Sequence, residues 1–335
     1  MSPKVSIILP TFNRAAFLPK AIESIERQSY QDWELIVVDD GSDDETLELL
    51  AKITQGVAGR VNVISQANRG PGAARNAGIR VSRGELIAFY DSDDTWENIH
   101  LSRCVEKFRL SSDVDWVYAS FRRVALPEGR IIEADEFRRG GVDAPFLELK
   151  ADFIGDLAIL SDRRTLECMI VHGLGVSLRT SVVRRAVFDK VNFPEFRIGE
   201  DQILWVRAIS SGFRFGYIQN IHATAYVHAT NTSNAANQSS TERTVFVLKE
   251  LKAALESLRD LPLTRREMNC LNRRIADLNF WGIGYAYADS GRFADAIDFM
   301  REGIQLRPMK ISFLKTYIVT VMRKILSLIA EKLKK

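Results

Sequence analysis

Over the first hundred positions, apolar residues alternate between short unbroken runs and stretches at helical spacing. Val5-Ser6-Ile7-Ile8-Leu9-Pro10 is a β-branched run closed by a proline, which predicts a buried strand. Phe17, Leu18, Ala21, Ile22 and Ile25 recur at helical spacing, and residues 33–38 form a second, nearly continuous apolar strand. The alternation continues with a helix over 46–53, a strand over 61–65, a helix over 73–81 and a strand over 85–90. This β-α-β series predicts a mostly parallel sheet that binds ligands at the carboxyl ends of its strands.

Further on, the pattern predicts a helix over 99–110, and strands over 115–124 and 130–133 joined by a turn at Pro127-Glu128-Gly129. The stretch from there to Ile170 has no readable period. After a short apolar run at 176–178, a helix from Ser181, a helix over 200–211 and a strand pair at 215–217 and 223–228 complete a catalytic domain assigned to 1–235. From 241 to 335 Gly and Pro are sparse and the spacing is helical, predicting an all-helical C-terminal appendage. Phe280, Ile283, Gly284, Tyr287, Ala296, Met300, Gly303 and Pro308 follow a tetratricopeptide-like hairpin over 277–310; one such unit is an ordinary helical hairpin rather than a peptide-binding array. The tail over 313–335 mixes apolar residues with Lys315, Arg323, Lys324, Lys332, Lys334 and Lys335. Charge in mid-segment argues against a span and for a basic amphipathic helix, lying on an anionic membrane or docked on the protein.

A chain of 335 residues fits one large α/β domain plus an appendage. Net charge is +3, so nucleic acid is not an expected partner. Cys104, Cys168 and Cys270 are far apart, with no CxxC or Cys/His pairing, so neither a zinc site nor a disulfide framework is expected. The residues after Met1 lack a secretory pattern, so the expected location is cytoplasmic, with contact to the inner face of the cell membrane through the tail. The sequons at Asn231 and Asn237 are then incidental.

The chemistry gathers at the predicted strand ends. Asp39 and Asp40 follow the second strand, where carboxylates accept hydrogen bonds from base imino groups and ribose hydroxyls; helix capping accounts for Ser42 or Asp43 but not for Asp39. Residues 68–76 (NRGPGAARN) form a loop entering a helix, with Gly70 permitting close backbone approach to a ligand. Arg75, a cation near that helix start, suits a phosphate or a neighbouring carboxylate. Asp91-Ser92-Asp93-Asp94 sets three carboxylates together, a repulsion that Mg²⁺ or Mn²⁺ would relieve. A cap on a helix at Trp96 would account for one of them. Asp93 and Asp94 are the expected metal contacts, and Asp91 shapes the turn.

These ordered motifs resemble the family 2 glycosyltransferases of GT-A fold. The match runs through Pro10-Thr11-Phe12-Asn13-Arg14, the segment ELIVVDDGS at 34–42, residues 68–78 and residues 91–94. The resemblance implies a Rossmann-like mixed sheet flanked by helices, and an inverting enzyme. It would move a sugar from a nucleoside-diphosphate donor, expected to be a UDP-sugar, to an acceptor hydroxyl on a saccharide or lipid carrier in bacterial cell-surface polysaccharide or glycolipid synthesis. It implies donor contacts at Pro10, Thr11, Asn13, Arg14, Asp39, Asp40, Gly70, Arg75, Asp91 and Asp93. Gly199-Glu200-Asp201-Gln202 looks like the family's Glu-Asp element, with Asp201 as the catalytic base and Glu200 beside it. His228, in a segment that resembles the one closing the family's domain, is a metal-side candidate together with Asp93 and Asp94; His172 reads as structural or acceptor-side. No GxGxxG turn or Walker loop competes, since the first strand leads into Thr11-Phe12-Asn13. The rival is a non-catalytic sugar-nucleotide sensor or scaffold on the same fold.

Overall fold

In the computed structural model, β1 (Val5–Thr11) and β2 (Trp33–Asp39) are buried at nearly every position, as parallel strands covered on both faces must be. The structure describes residues 4–54, 59–228 and 240–333, without the side chains of 327, 328 and 330–333. Residues 229–239, with the expected end of the catalytic domain and both sequons, lie outside the described residues, as do Lys334 and Lys335. Between β1 and β2, α1 (Leu18–Glu26) turns Leu18, Ala21, Ile22 and Ile25 inward. The chain continues through α2 (Thr46–Ile53), β3 (Val61–Ser65), α3 (Pro71–Val81) and β4 (Leu86–Phe89). These four strands lie parallel in the order β3-β2-β1-β4. The chain thus moves outward from β1 and then crosses back to its other side, which opens a crevice at the carboxyl ends of β1 and β4. Pro10 lies two residues past the last β1–β4 pair, Ile8↔Phe89, where its missing N–H costs no ladder bond on that side.

The sheet is completed by β5 (Thr95–Trp96), β6 (Trp116–Ala125), β7 (Arg130–Glu133), the hairpin β8 (Ala151–Ile154) and β9 (Leu157–Leu160), β10 (Val182–Arg184) and β11 (Phe215–Val227). Helices α4 (His100–Leu110), α5 (Thr165–His172) and α6 (Glu200–Ser210) fall between them. Beyond β4 the order is β10-β6-β11-β9-β8, with β10 antiparallel to both neighbours and β11 parallel to β6, so the sheet is mixed.

Two local expectations are corrected. The helix expected from Ser181 is strand β10: Val182 pairs with Ala88 and Val117, and a β-branched pair suits a buried pleat better than a helix. The expected strand pair at 215–228 is the single strand β11, whose register shifts between Ile218 and Ala223 absorb the polar Gln219-Asn220 as a bulge. The unreadable stretch before Ile170 holds two 3-10 turns, Glu136–Gly141 and Pro145–Glu148, besides β8 and β9. Their Phe137 and Phe146 pack edge to face at 5.0 Å and against Tyr217 at 6.0 and 5.2 Å. Tertiary contact, not local periodicity, fixes these turns.

α3 lies on β1 and β2 through Gly78, where a Cβ would come within 2.6 Å of Ile8 Cγ2 and 3.1 Å of Val38 Cγ2. Gly78→Val is expected to lower stability by about 1–3 kcal/mol through overpacking. Urea denaturation of the two proteins measures the difference, and unchanged stability would contradict this packing account.

The chain divides into two compact units, Met1–His228 and Ala229–Lys335. The second is helical: α7 (Thr241–Glu256), α8 (Arg265–Asp277), a π-helical turn Leu278–Gly284, α9 (Tyr285–Asp289), α10 (Phe293–Leu306) and α11 (Ile311–Leu333). Thr264 and Glu267 form a capping box at the start of α8. The 277–310 segment folds as a helix-turn-helix, with Phe280, Ile283, Met300 and Phe313 in the core of the unit. Phe313 stacks on Phe280 at 4.0 Å, so α11 docks on this unit through its first turn.

Candidate active site

The loops after β1 and β2 are joined side chain to side chain. Asn13 takes φ 52°, a left-handed conformation that Asn tolerates better than most residues. There its Nδ2 donates to Asp43 Oδ1 at 2.7 Å, its Oδ1 accepts from the Asp43 amide at 3.0 Å, and its own amide donates to Ser42 Oγ. The Arg14 amide donates to Thr46 Oγ1, and its guanidinium lies 5.7 Å from the Phe17 ring. Thr11 and Asp39 are register partners at the strand ends, both buried, and Ser42 N makes long contacts with the Asp39 carboxylate at 3.3 and 3.4 Å.

Asp40 faces the next loop. Its oxygens accept from Gln66 Nε2 at 2.7 Å, Arg69 N at 3.0 Å and Gly70 N at 2.8 Å, so this carboxylate is committed to holding residues 66–70 in place. Gly70, at φ 88°, then starts α3.

Arg75 gathers the centre of the crevice. It lies in the second turn of α3 with its side chain 8% exposed, and donates to Asp91 Oδ1 at 3.1 Å and Glu200 Oε1 at 3.0 Å. One cation thereby ties the end of β4 to the first turn of α6, where Glu200 and Asp201 also face favourable helix N-terminal amides. Burial alone would raise the Asp91 carboxyl, but the Arg75 and Arg179 guanidiniums outweigh it and hold Asp91 below the ordinary carboxylate range. Burial pushes Glu200 up to about 7, with Arg75 opposing and Asp201 adding to the rise. Asp201 is raised for the same first reason, against Arg75.

The acidic cluster is divided. Asp93 Oδ2 lies 3.3 Å from His228 Nε2 at the end of β11, and the His228 ring stacks on Phe17 at 4.6 Å. Asp94 turns the other way: it is buried, pairs with Arg179 Nε at 3.1 Å and accepts from the Tyr226 amide at 3.3 Å. Burial pushes its carboxyl up to about 8, against Arg179 and with repulsion from Asp91 and Asp93. No helix begins at Trp96, which lies in β5, so capping explains none of these carboxylates.

Arg179 was not legible in the sequence. It follows no motif; a 3-10 turn, Leu178–Thr180, carries it to Asp91 and Asp94 and over the Phe121 ring at 4.6 Å. A second group also escaped, because its members are distant in sequence. Among the described residues, the ligand atoms of His100, Cys104 and His222 lie within 4.8 Å of one another, a closeness that Asp93, Asp94 and His228 do not reach. The two imidazoles share an Nδ1–Nδ1 hydrogen bond at 3.1 Å, and burial pushes both pKa values down, so they form a neutral pair in the core. His172 ends α5, away from these contacts in the chain.

An open α/β sheet with carboxylates clustered at its switch-point crevice places a ligand site at the carboxyl ends of β1 and β4. The solved structure of S. aureus TarS in complex with UDP-GlcNAc shares this fold, with a TM-score of 0.63 over 90% of this chain and 81% of that one at 20% identity. The mannosyltransferase PcManGT from Pyrobaculum calidifontis, in complex with GDP-Man and Mn²⁺, gives 0.56 over 98% and 87% at 17% identity. Residues 6–159, most of the first unit, match the family model "Glycosyl transferase family 2". A putative teichuronic acid biosynthesis glycosyltransferase of Bacillus subtilis, TuaG, is 26% identical over 75% of this chain and 89% of its own. Against uncharacterized glycosyltransferases of Nostoc and Rickettsia bellii the aligned part of the chain spans 34% and 30% of their length.

Proposed function

We propose that the protein is an inverting glycosyltransferase of polysaccharide synthesis, which moves a sugar from a nucleoside-diphosphate donor to an acceptor hydroxyl. The observation that carries this reading is Arg75, which brings the Asp91 turn and the Glu200-Asp201 pair to one point with bonds of 3.1 and 3.0 Å. Donor side and base side then meet where a single displacement needs them.

Asp39, an acceptor-only carboxylate at a strand end, takes the imino N–H of the base, with uracil as the expected partner. Thr11, Asn13, Arg14 and Gly70 form the walls of that pocket, and Asp40 acts through the loop it holds. Asp201 accepts the proton of the acceptor hydroxyl as its oxygen attacks the anomeric carbon. The bond from that carbon to the diphosphate breaks, and the electron pair leaves with the nucleoside diphosphate. Glu200, fixed by Arg75, holds the base in place.

Asp93 and His228 fit a divalent ion, since an anionic oxygen and an imidazole nitrogen already lie side by side; Asp94, turned to Arg179, fits that role less well. When bound, Mn²⁺ or Mg²⁺ would neutralise the departing diphosphate. The PcManGT complex with Mn²⁺ supports a divalent ion here. With a panel of nucleotide sugars and Mn²⁺, turnover or donor hydrolysis is expected, and Asp93→Ala should reduce it roughly 100-fold or more. Undiminished activity in that variant would remove Asp93 from the mechanism.

A further inference from the structure

The helical unit buries one face of α11 and leaves the opposite face bare. Phe313 and Thr320 are turned into the unit. Ile311, Leu314, Ile318, Met322, Ile325 and Ile329 recur at intervals of three and four, and all six are exposed, between 43% and 68%. Such spacing keeps them on one stripe along the helix. A continuous apolar stripe of this length is uncommon on a surface that meets only water. It begins beside Met309, which is 89% exposed.

The charges around the stripe select its partner. Lys315 and Arg323 are exposed on the same helix, and residues 311–330 contain no Asp or Glu. A second copy of α11 laid against this one would bring Lys315, Arg323 and Lys324 together with Glu331 as the one acid on the helix to pair them, the reverse of what stabilises paired helices. No described helix is long and apolar enough to cross a membrane. An apolar face on a helix of net positive charge, with Lys315 at its edge, fits a surface that is apolar within and anionic at its rim.

We infer that the outward face of α11 seats on an anionic phospholipid surface, with the stripe entering the acyl boundary and Lys315 and Arg323 meeting headgroup phosphates. The docked first turn holds the helix ready, so it needs no folding transition at the membrane. This attachment does not depend on the sugar-transfer reading, and its test uses no sugar.

The full chain is mixed with vesicles of phosphatidylcholine and phosphatidylglycerol, or of phosphatidylcholine alone, and separated by flotation. The expected result is flotation with the anionic vesicles that weakens with added salt. Ile318→Glu with Met322→Glu, and separately Lys315→Glu with Arg323→Glu, should each weaken binding roughly tenfold or more. Both pairs are exposed, and circular dichroism with thermal melting confirms that each variant is folded. Failure of the wild-type chain to float, equal binding to uncharged vesicles, or flotation unchanged in both variants overturns the inference. So does light scattering that shows a dimer dissociated by Ile318→Glu with Met322→Glu while vesicles remain unbound, since the face would then be a contact between copies.

Discussion

Asp201→Asn is expected to lower turnover by roughly 10²–10⁴-fold while leaving donor affinity intact. The amide keeps the volume and the N-terminal position on α6 but cannot take a proton. Isothermal titration with donor and a steady-state assay on the same sample separate the two effects; normal turnover would exclude Asp201 as the base. The wild-type pH profile gives a second readout. Burial holds Glu200 up at about 7 and raises Asp201 with it, so the acid limb of kcat/KM should lie above the ordinary carboxylate range. The two carboxyls titrate as a pair, and that limb belongs to both.

Arg75→Met should cost about 3–5 kcal/mol of stability, because it strands the buried Glu200 carboxylate and leaves the partly buried Asp91 with Arg179 as its remaining cation. The loss should depend on pH with a defined sign. In the wild-type protein Asp91 is held below its unfolded value, which adds stability above that value and loses it as pH falls through the folded pKa. Glu200 is held above its unfolded value, so its contribution weakens as pH rises toward about 7. Without the guanidinium both carboxyls rise, and protonation at mildly acid pH relieves the repulsion. Urea denaturation without donor or metal should therefore show a larger deficit at alkaline than at mildly acid pH. An equal deficit at both would point to lost packing alone.

The sequence was most readable where chemistry follows directly on a buried strand. Asp39 and the 91–94 cluster stand immediately after apolar runs, so local pattern located both the strand end and the carboxylates. Glu200 and Asp201 were found through a motif at a helix start. Arg179 had no such signal, because its partners Asp91 and Asp94 stand 88 and 85 positions away and only the sheet brings them near. The division between Asp93, facing His228, and Asp94, facing Arg179, is likewise a matter of side-chain direction within a turn. β10 was misread for a related reason: three residues are too few to display a period, and pairing with β4 and β6 decided their conformation.

The Asn13–Asp43 clamp bears on how the proposed donor pocket could change. Two reciprocal hydrogen bonds already fix the rim between the β1 and β2 loops, so a nucleotide arriving there would immobilise little backbone of its own. A rim completed in advance discriminates by fit rather than by adaptation. Substitutions that leave this clamp intact could retune base preference one contact at a time, whereas losing Asn13 would turn a rigid template into a loop that each ligand must order anew.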